Sequence, residues 1–215
     1  MTDVATRSPI LKVWKEALPL PVVEFAYTEF RLMRDALLAM GSKEGYNDPT
    51  VPGCFSWYSP LCFEALSLYV QPKVEKMLGT DLIPTYSYGR IYTEGSELEK
   101  HTDRRSSQLA VNVSLARDIQ WDLHFEWKGQ DLMVDLKPGD VVIYSGDTIP
   151  HWRDKYTGKE HVIAFLQINQ VPSSQPPIHA LAFLFISSMV PNGLGIIPVE
   201  PLKDVAPSTT SASLP

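Results

Sequence analysis

The sequence predicts an α+β domain in which two helices precede an antiparallel β sandwich or barrel. Two observations support this fold class. Apolar and charged residues first recur at helical spacing, whereas from Ile83 onward the apolar period changes to two, the period of a half-buried strand. The later strands follow one another with no helical pattern between them, and such strands join through short turns into antiparallel sheets.

The two predicted helices span residues 22–40 and 60–78. The first stops at Gly41, a suitable C-cap, and the second begins with Pro60, a residue that favours the first helical position. The segment between them, residues 41–58, is rich in turn-forming dipeptides and is predicted to be a loop.

The predicted β core spans residues 82–169. Its main strands are predicted at 85–92, 107–115, 122–127, 131–136, 140–145 and 161–168. We therefore divide the chain into an N-terminal extension at 1–21, a folded domain at 22–170 and a C-terminal region at 171–215. That last region contains a linker, an apolar segment of unassigned role at 180–202 and a tail predicted to be disordered.

Composition excludes several classes of partner. The formal net charge is -6, and no basic stripe is visible, so we expect no binding to nucleic acid or to an anionic membrane surface. The only cysteines, Cys54 and Cys62, are too few for a zinc site and are predicted to be reduced thiols. The first residues lack the layout of a signal peptide, and no apolar stretch is long enough to span a bilayer. These features predict a soluble, cytoplasmic protein; its oligomeric state is not predicted.

The triplet His101-Thr102-Asp103 is the strongest chemical signal in the sequence. In an extended backbone, residues two apart point to the same face, so the imidazole and the carboxylate can converge on one ion. One further histidine from another strand would complete a set of two histidines and one carboxylate, which suits non-haem Fe(II) oxygenases. Such a set leaves coordination positions open, so that a 2-oxo acid can chelate the metal beside O2.

Two alternatives to this interpretation remain open at this point. An HxD triplet also arises by chance, and His101 would then be a surface histidine paired with its neighbour. His124-Phe125-Glu126 forms a rival pair, although its polar residues share the solvated face of a half-buried strand. The context favours the first triplet, because His151 lies downstream of it, after another strand and its turn.

Longer stretches of the sequence resemble a known family. The resemblance covers about residues 60–169 and is to the prolyl-4-hydroxylase-like branch of the Fe(II)- and 2-oxoglutarate-dependent dioxygenases. The matching motifs are Leu82-Ile83-Pro84-Thr85-Tyr86-Ser87-Tyr88-Gly89-Arg90-Ile91-Tyr92, Gly95-Ser96 with Leu98, His101-Thr102-Asp103-Arg104, Leu136-Lys137-Pro138-Gly139-Asp140 with Tyr144, His151-Trp152-Arg153 and the strand 161–168.

The resemblance implies a double-stranded β-helix core of the jelly-roll or cupin type, supported by N-terminal helices. It implies Fe(II) at His101, Asp103 and His151, with 2-oxoglutarate as cosubstrate and ascorbate as a supporting reductant. The implied reaction hydroxylates an unactivated C–H bond, in a prolyl residue of a peptide or in an amino acid or another small molecule. It consumes O2 and releases succinate and CO2.

The residue that holds the far carboxylate of 2-oxoglutarate is the main departure from the family. Related enzymes use an Arg or Lys about nine or ten residues beyond the second histidine ligand. Here Lys159 lies eight residues and His161 ten residues beyond His151, and Arg153 is a third candidate. Lys159 is favoured because a lysine has a fixed charge. The resemblance also implies a cosubstrate contact from Tyr92.

Two further expectations concern the entrance of the site and the class of function. Arg104, Arg105 and Trp152 flank the predicted ligands and are expected to line the entrance of the site. Two other functions stay open: a metal enzyme of the cupin type that uses no 2-oxoglutarate, and a non-catalytic ligand-binding or sensing module.

Overall fold

The structure is a computed structural model that describes residues 8–104 and 107–171, and all structural statements below concern these residues. The elements, in chain order, are β1 (Leu11–Trp14), α1 (Leu20–Ala39), β2 (Phe55–Tyr58), α2 (Leu61–Leu78), β3 (Leu82–Tyr92), β4 (Leu98–His101), β5 (Leu109–Arg117), β6 (Leu123–Trp127), β7 (Gln130–Val134), β8 (Val141–Tyr144), β9 (His151–Arg153) and β10 (His161–Gln170). The predicted apolar segment at 180–202 and the predicted tail lie outside the described residues.

The strands form two antiparallel sheets. The large sheet has six strands in the order β1-β8-β5-β10-β3-β2, and the small sheet has four in the order β4-β9-β6-β7. Each sheet therefore places strands side by side that are far apart in sequence, as in a sandwich whose chain crosses repeatedly between its layers.

The two helices cover the outer face of the large sheet. Their apolar side chains pack on the alternate residues of β5 and β10 that point outward, including Val111, Val113, Val162 and Ala164. Close approach requires a glycine at position 89 of β3, since an added Cβ would lie 2.4 Å from the ring of Phe30. The helices thereby remove one face of the sheet from solvent and leave the other for the site.

The inner face of the large sheet follows from the register of its strands. On β10, His161 pairs with Tyr92 of β3, and Phe165 pairs with Tyr88 of β3 and with Asn112 of β5. Because side chains alternate along a strand, these residues point toward the small sheet. The site lies between the sheets.

The structure differs from the sequence-based boundaries at the N-terminal side. Residues 1–21 were assigned to an extension, yet Leu11–Trp14 pairs with β8 and forms an edge of the large sheet. Phe55–Tyr58 is a strand within the predicted loop and pairs with β3. A strand of four residues contains too few alternations to be recognised by its period. None of the described helices is both long and apolar enough to cross a membrane.

Candidate active site

His101, Asp103 and His151 converge at one end of the small sheet. His101 ends β4, His151 begins β9, and the two residues are direct partners across the sheet. Asp103 follows β4, and its backbone N–H donates a hydrogen bond to the carbonyl oxygen of Gly146 at 2.7 Å. Oδ1 of Asp103 lies 3.7 Å from Nε2 of His101 and 3.8 Å from Nε2 of His151. The three residues singled out in the sequence thus form a compact cluster.

Backbone carbonyl groups fix the orientation of both imidazoles. Nδ1 of His101 lies 2.8 Å from the oxygen of Glu99, and Nδ1 of His151 lies 3.0 Å from the oxygen of Ile149. A carbonyl oxygen only accepts hydrogen bonds, so each Nδ1 must carry the proton. Nε2 of each ring is then the nitrogen that a metal can bind, which is the tautomer that metal-binding histidines adopt, and Nε2 of His151 also lies 3.2 Å from the hydroxyl oxygen of Tyr144.

Burial determines the charges of the cluster. It lowers the pKa of His151 to about 4, with a further contribution from His101, so His151 is neutral at pH 7. Burial also raises the pKa of Asp103, against the opposing effect of His101. Oδ2 of Asp103 is buried without a hydrogen-bond partner among the described residues, and a buried carboxylate oxygen of this kind is costly unless a cation meets it.

The cluster fits a divalent metal ion. Its ligand atoms all lie within 4.8 Å of one another. Neighbouring ligands bonded at about 2.1 Å to one ion are roughly 3 Å apart, so the three ligand atoms would draw closer together on metal binding. Two imidazoles and one carboxylate match the donor set of non-haem Fe(II) sites.

A cavity of about 440 Å³ opens beside the cluster and contains two buried guanidinium groups. Arg153 lies on β9 and is 3% exposed. It donates to the carbonyl oxygen of Trp121 at 2.5 Å, and its guanidinium lies 4.7 Å from the centroid of the Trp121 ring. No carboxylate lies within 4 Å of it in the described part of the chain. Arg153 therefore holds a charge that the described residues leave without an anion.

The second guanidinium, that of Arg90, is neutralised. It forms an ion pair with Asp48 at 2.5 Å, and Asp48 belongs to the loop that borders the cavity. Nη1 of Arg90 also donates to the hydroxyl oxygen of Tyr92 at 3.1 Å. A phenol that accepts in this way keeps its own proton for a second hydrogen bond, and Tyr92 lines the cavity.

Comparisons with known proteins give matches among solved structures only. No protein-family model and no curated protein sequence matches. A prolyl-4-hydroxylase from Pseudomonas putida matches with a TM-score of 0.59 at 16% identity, covering 75% of this chain and 93% of that one. HygX from Streptomyces hygroscopicus, solved with nickel, 2-oxoglutarate and hygromycin B bound, gives 0.59 at 14% identity, with 78% and 84% covered. A prolyl hydroxylase from Trichoplax adhaerens, in complex with a peptide fragment of the hypoxia inducible factor oxygen degradation domain, gives 0.52 at 12% identity, with 73% and 82% covered.

The chain has the fold of the 2-oxoglutarate oxygenases. The predicted double-stranded β-helix core with supporting helices is confirmed.

Within this oxygenase fold, the other candidates for the cosubstrate carboxylate lie apart from the cavity wall. Lys159 is exposed in the turn before β10, where its backbone N–H donates to Asp118 at 2.7 Å, and its side chain does not line the cavity. His161 points inward but is 0% exposed and is enclosed by the rings of Tyr92, Trp121 and Tyr156. Arg153, the third candidate, lies in β9 and lines the cavity.

Of the three residues expected at the entrance, the structure places Arg104 on the cavity and Trp152 off it. Arg104 lines the cavity, while Arg105 lies outside the described residues. Trp152 does not line the cavity; its ring stacks on the rival histidine, His124, at 5.1 Å. His124 itself pairs with Asp131 at 3.0 Å, away from the metal cluster.

Sequence reasoning overlooked the polar residues that face the cavity from the large sheet. Asn112 and Gln167 both line the cavity, yet polar positions of an alternating strand are ordinarily read as the solvent side. Here the helices cover the apolar face of the sheet, so its polar face points to the cavity instead of to solvent. The two amphipathic helices upstream could have indicated this, because their apolar faces must pack on one face of a sheet.

Proposed function

We propose that this chain is an Fe(II)- and 2-oxoglutarate-dependent dioxygenase that hydroxylates an unactivated C–H bond and produces succinate and CO2. The observation that supports this proposal most is the joint position of two features. A cluster of two histidines and one aspartate opens on the same cavity as a buried arginine that has no carboxylate partner among the described residues.

His101, Asp103 and His151 would hold the iron through two Nε2 atoms and one carboxylate oxygen. The bound iron would supply O2 activation coupled to decarboxylation of the 2-oxo acid. The protein's own contribution is to keep three coordination positions open on the cavity side and to hold both imidazoles in the metal-binding tautomer.

Arg153 and Tyr92 would bind the far carboxylate of 2-oxoglutarate. A guanidinium offers two parallel donors to a carboxylate, and a buried pair of this kind compensates two charges at once. Tyr92 is fully buried beside the cavity, and its hydroxyl is oriented by Arg90. Lys159 is not part of this proposal, because its side chain is exposed outside the cavity wall.

The substrate would be a peptide residue or a small molecule, and O2 would be the cosubstrate that reacts at the same site. A prolyl residue or an amino acid agrees with the motifs, and the fold also accommodates a hypoxia inducible factor peptide in one matched structure and hygromycin B in another. We place the reaction in the cytoplasm, which the absence of a disulfide at Cys54 and Cys62 supports.

The decisive experiment is anaerobic titration of the purified protein with Fe(II) and then with 2-oxoglutarate. The expected result is one iron per chain and a weak visible charge-transfer band that appears only with both. Substitution of His101, Asp103 or His151 by alanine should abolish the band and succinate formation. His124→Ala is the matched control and should retain both.

Two results would contradict the proposal. Turnover of O2 that does not require 2-oxoglutarate would indicate a cupin-type metal enzyme. Metal binding without a chelate band, together with no succinate in any condition, would indicate a binding or sensing module.

A further inference from the structure

Two buried carboxamides face the metal cluster from the large sheet. Asn112 on β5 is 2% exposed, and Gln167 on β10 is 3% exposed. Both line the cavity. Oδ1 of Asn112 and Oε1 of Gln167 are buried, and neither has a hydrogen-bond partner in the ranges that the structure describes. Such oxygens are uncommon in folded proteins, where almost every buried polar atom is paired.

The register places these two side chains close together. Asn112 pairs with Phe165, and Gln167 pairs with Ala110, so the carboxamides are diagonal neighbours on adjacent strands. Diagonal neighbours in an antiparallel sheet have Cβ atoms roughly 7 Å apart. A single ligand of modest size therefore spans both.

Asn112 is also connected to the metal cluster. Its Nδ2 donates to the hydroxyl oxygen of Tyr144 at 3.1 Å, and that hydroxyl lies 3.2 Å from Nε2 of His151. This chain of contacts orients Asn112 and leaves its oxygen directed away from Tyr144. The unpaired oxygen of Asn112 thus lies on the metal side of the cavity, and that of Gln167 lies on the neighbouring strand.

The cosubstrate cannot satisfy these oxygens. At neutral pH 2-oxoglutarate has two carboxylates and one keto group, all of which are acceptors, and an acceptor does not pair with an amide oxygen. These oxygens accept only from O–H or N–H groups, which 2-oxoglutarate lacks at neutral pH.

We propose that Asn112 and Gln167 select the substrate by accepting hydrogen bonds from two of its O–H or N–H groups. This inference rests on the proposed function and makes it narrower: the substrate presents donors toward the large sheet, as a hydroxylated ring or an amide does. Phe165 lies beside both carboxamides, and its ring stacks on Tyr88 at 4.3 Å, so an apolar edge of the substrate has a surface to pack against. A substrate without donors would leave both oxygens unpaired and would be rejected.

The first test measures the melting temperature of the metal-free protein. Replacing an unpaired buried amide by an apolar side chain of similar size removes a desolvation cost, so Gln167→Leu should raise the melting temperature by about 2–4 °C. Gln71→Leu is the matched control: its side chain donates to the carbonyl oxygen of Leu82 at 2.9 Å, so the same replacement should lower the melting temperature. A fall in Gln167→Leu would mean that Gln167 is paired in solution, which would overturn the proposal.

The second test uses matched donor and donor-free probes. Protein loaded with Mn(II) and 2-oxoglutarate is mixed with acetamide or N,N-dimethylacetamide, and separately with ethylene glycol or 1,2-dimethoxyethane. Paramagnetic relaxation of the probe protons by Mn(II) reports binding near the metal. In at least one pair, the protons of the donor-bearing probe should relax at least about threefold faster than those of the donor-free probe. The amide pair tests N–H donors, and the glycol pair tests O–H donors.

The variants assign that preference to the two residues. The difference within a pair should disappear in Asn112→Leu and Gln167→Leu and persist in Gln130→Leu, an exposed glutamine on β7. Equal relaxation within both pairs, or a preference retained in both cavity variants, would refute the inference. Failure of the proposed function gives a different result, because 2-oxoglutarate would then not displace water from the bound Mn(II) at all.

Discussion

Arg153→Met tests how 2-oxoglutarate is held. The guanidinium is 3% exposed, and burial lowers the pKa of Arg153, which reflects the cost of holding its charge there. A buried, charged hydrogen bond contributes about 1.5–3 kcal/mol, and a two-donor contact reaches about 4 kcal/mol. The dissociation constant for 2-oxoglutarate should therefore rise by roughly 10- to 1000-fold. Iron affinity should be unchanged, because none of the three ligands is altered.

Two assays measure this effect independently. Anaerobic titration of the charge-transfer band gives the dissociation constant directly. Thermal unfolding gives it through linkage: 2-oxoglutarate at a hundred times the wild-type constant stabilises wild type by about 2.7 kcal/mol, and a 100-fold weaker variant by only about 0.4 kcal/mol. Lys159→Met is the matched control and should behave as wild type. A wild-type constant in Arg153→Met, or a loss confined to Lys159→Met, would refute the assignment.

Three further predictions concern the metal site, the helix–sheet contact and the hydrogen bonds of Asp118. Gly146→Ala places a Cβ 2.1 Å from Oδ2 of Asp103 and should weaken Fe(II) binding by about 10- to 100-fold; an unchanged metal dissociation constant would contradict it. Gly89→Ala forces a Cβ against two phenylalanine rings of the helices and should destabilise the fold by about 1–3 kcal/mol in a urea titration, whereas an unshifted midpoint would count against this packing. A hydrogen bond from Tyr156, together with backbone N–H donors, lowers the pKa of Asp118 from 3.8 to about 2. The ionised Asp118 therefore stabilises the folded state fully above pH 3.8, and this stabilisation is lost as the pH falls toward 2. In Asp118→Asn the melting temperature should depend less on pH over that range than in wild type. The same pH dependence in the variant and in wild type would contradict this prediction.

The helices were predicted closely because their ends have local signals. The predicted 22–40 is observed as Leu20–Ala39, and the predicted 60–78 as Leu61–Leu78. Gly79 adopts a left-handed conformation at the end of the second helix, which a glycine tolerates without strain. The shortest strands, such as Leu11–Trp14, were missed because edge pairing rather than their own pattern makes them strands.

The metal ligands could be predicted because their chemistry lies in a short spacing. His101 and Asp103 are two residues apart, so one extended segment brings both to the same place whatever the rest of the chain does. Asn112 could not be recognised in this way. Its direction depends on which face of β5 the helices cover, and that is a property of the tertiary structure.

The same dependence on tertiary structure applies to the cosubstrate anchor, for which the sequence favoured Lys159 and we propose Arg153. Both residues lie between the sheets: Arg153 lines the cavity from β9, whereas His161 on β10 is enclosed by the rings of Tyr92, Trp121 and Tyr156. Burial first, and then the positive charge of Arg153, hold the pKa of His161 well below its ordinary value, so only one of the two side chains is a cation at neutral pH. A cation on the small sheet can meet the same carboxylate as a cation on the large sheet, because the two sheets face each other across one cavity. If Arg153 is the anchor, as we propose, the position of the charge in the sequence has changed while its position in space is kept.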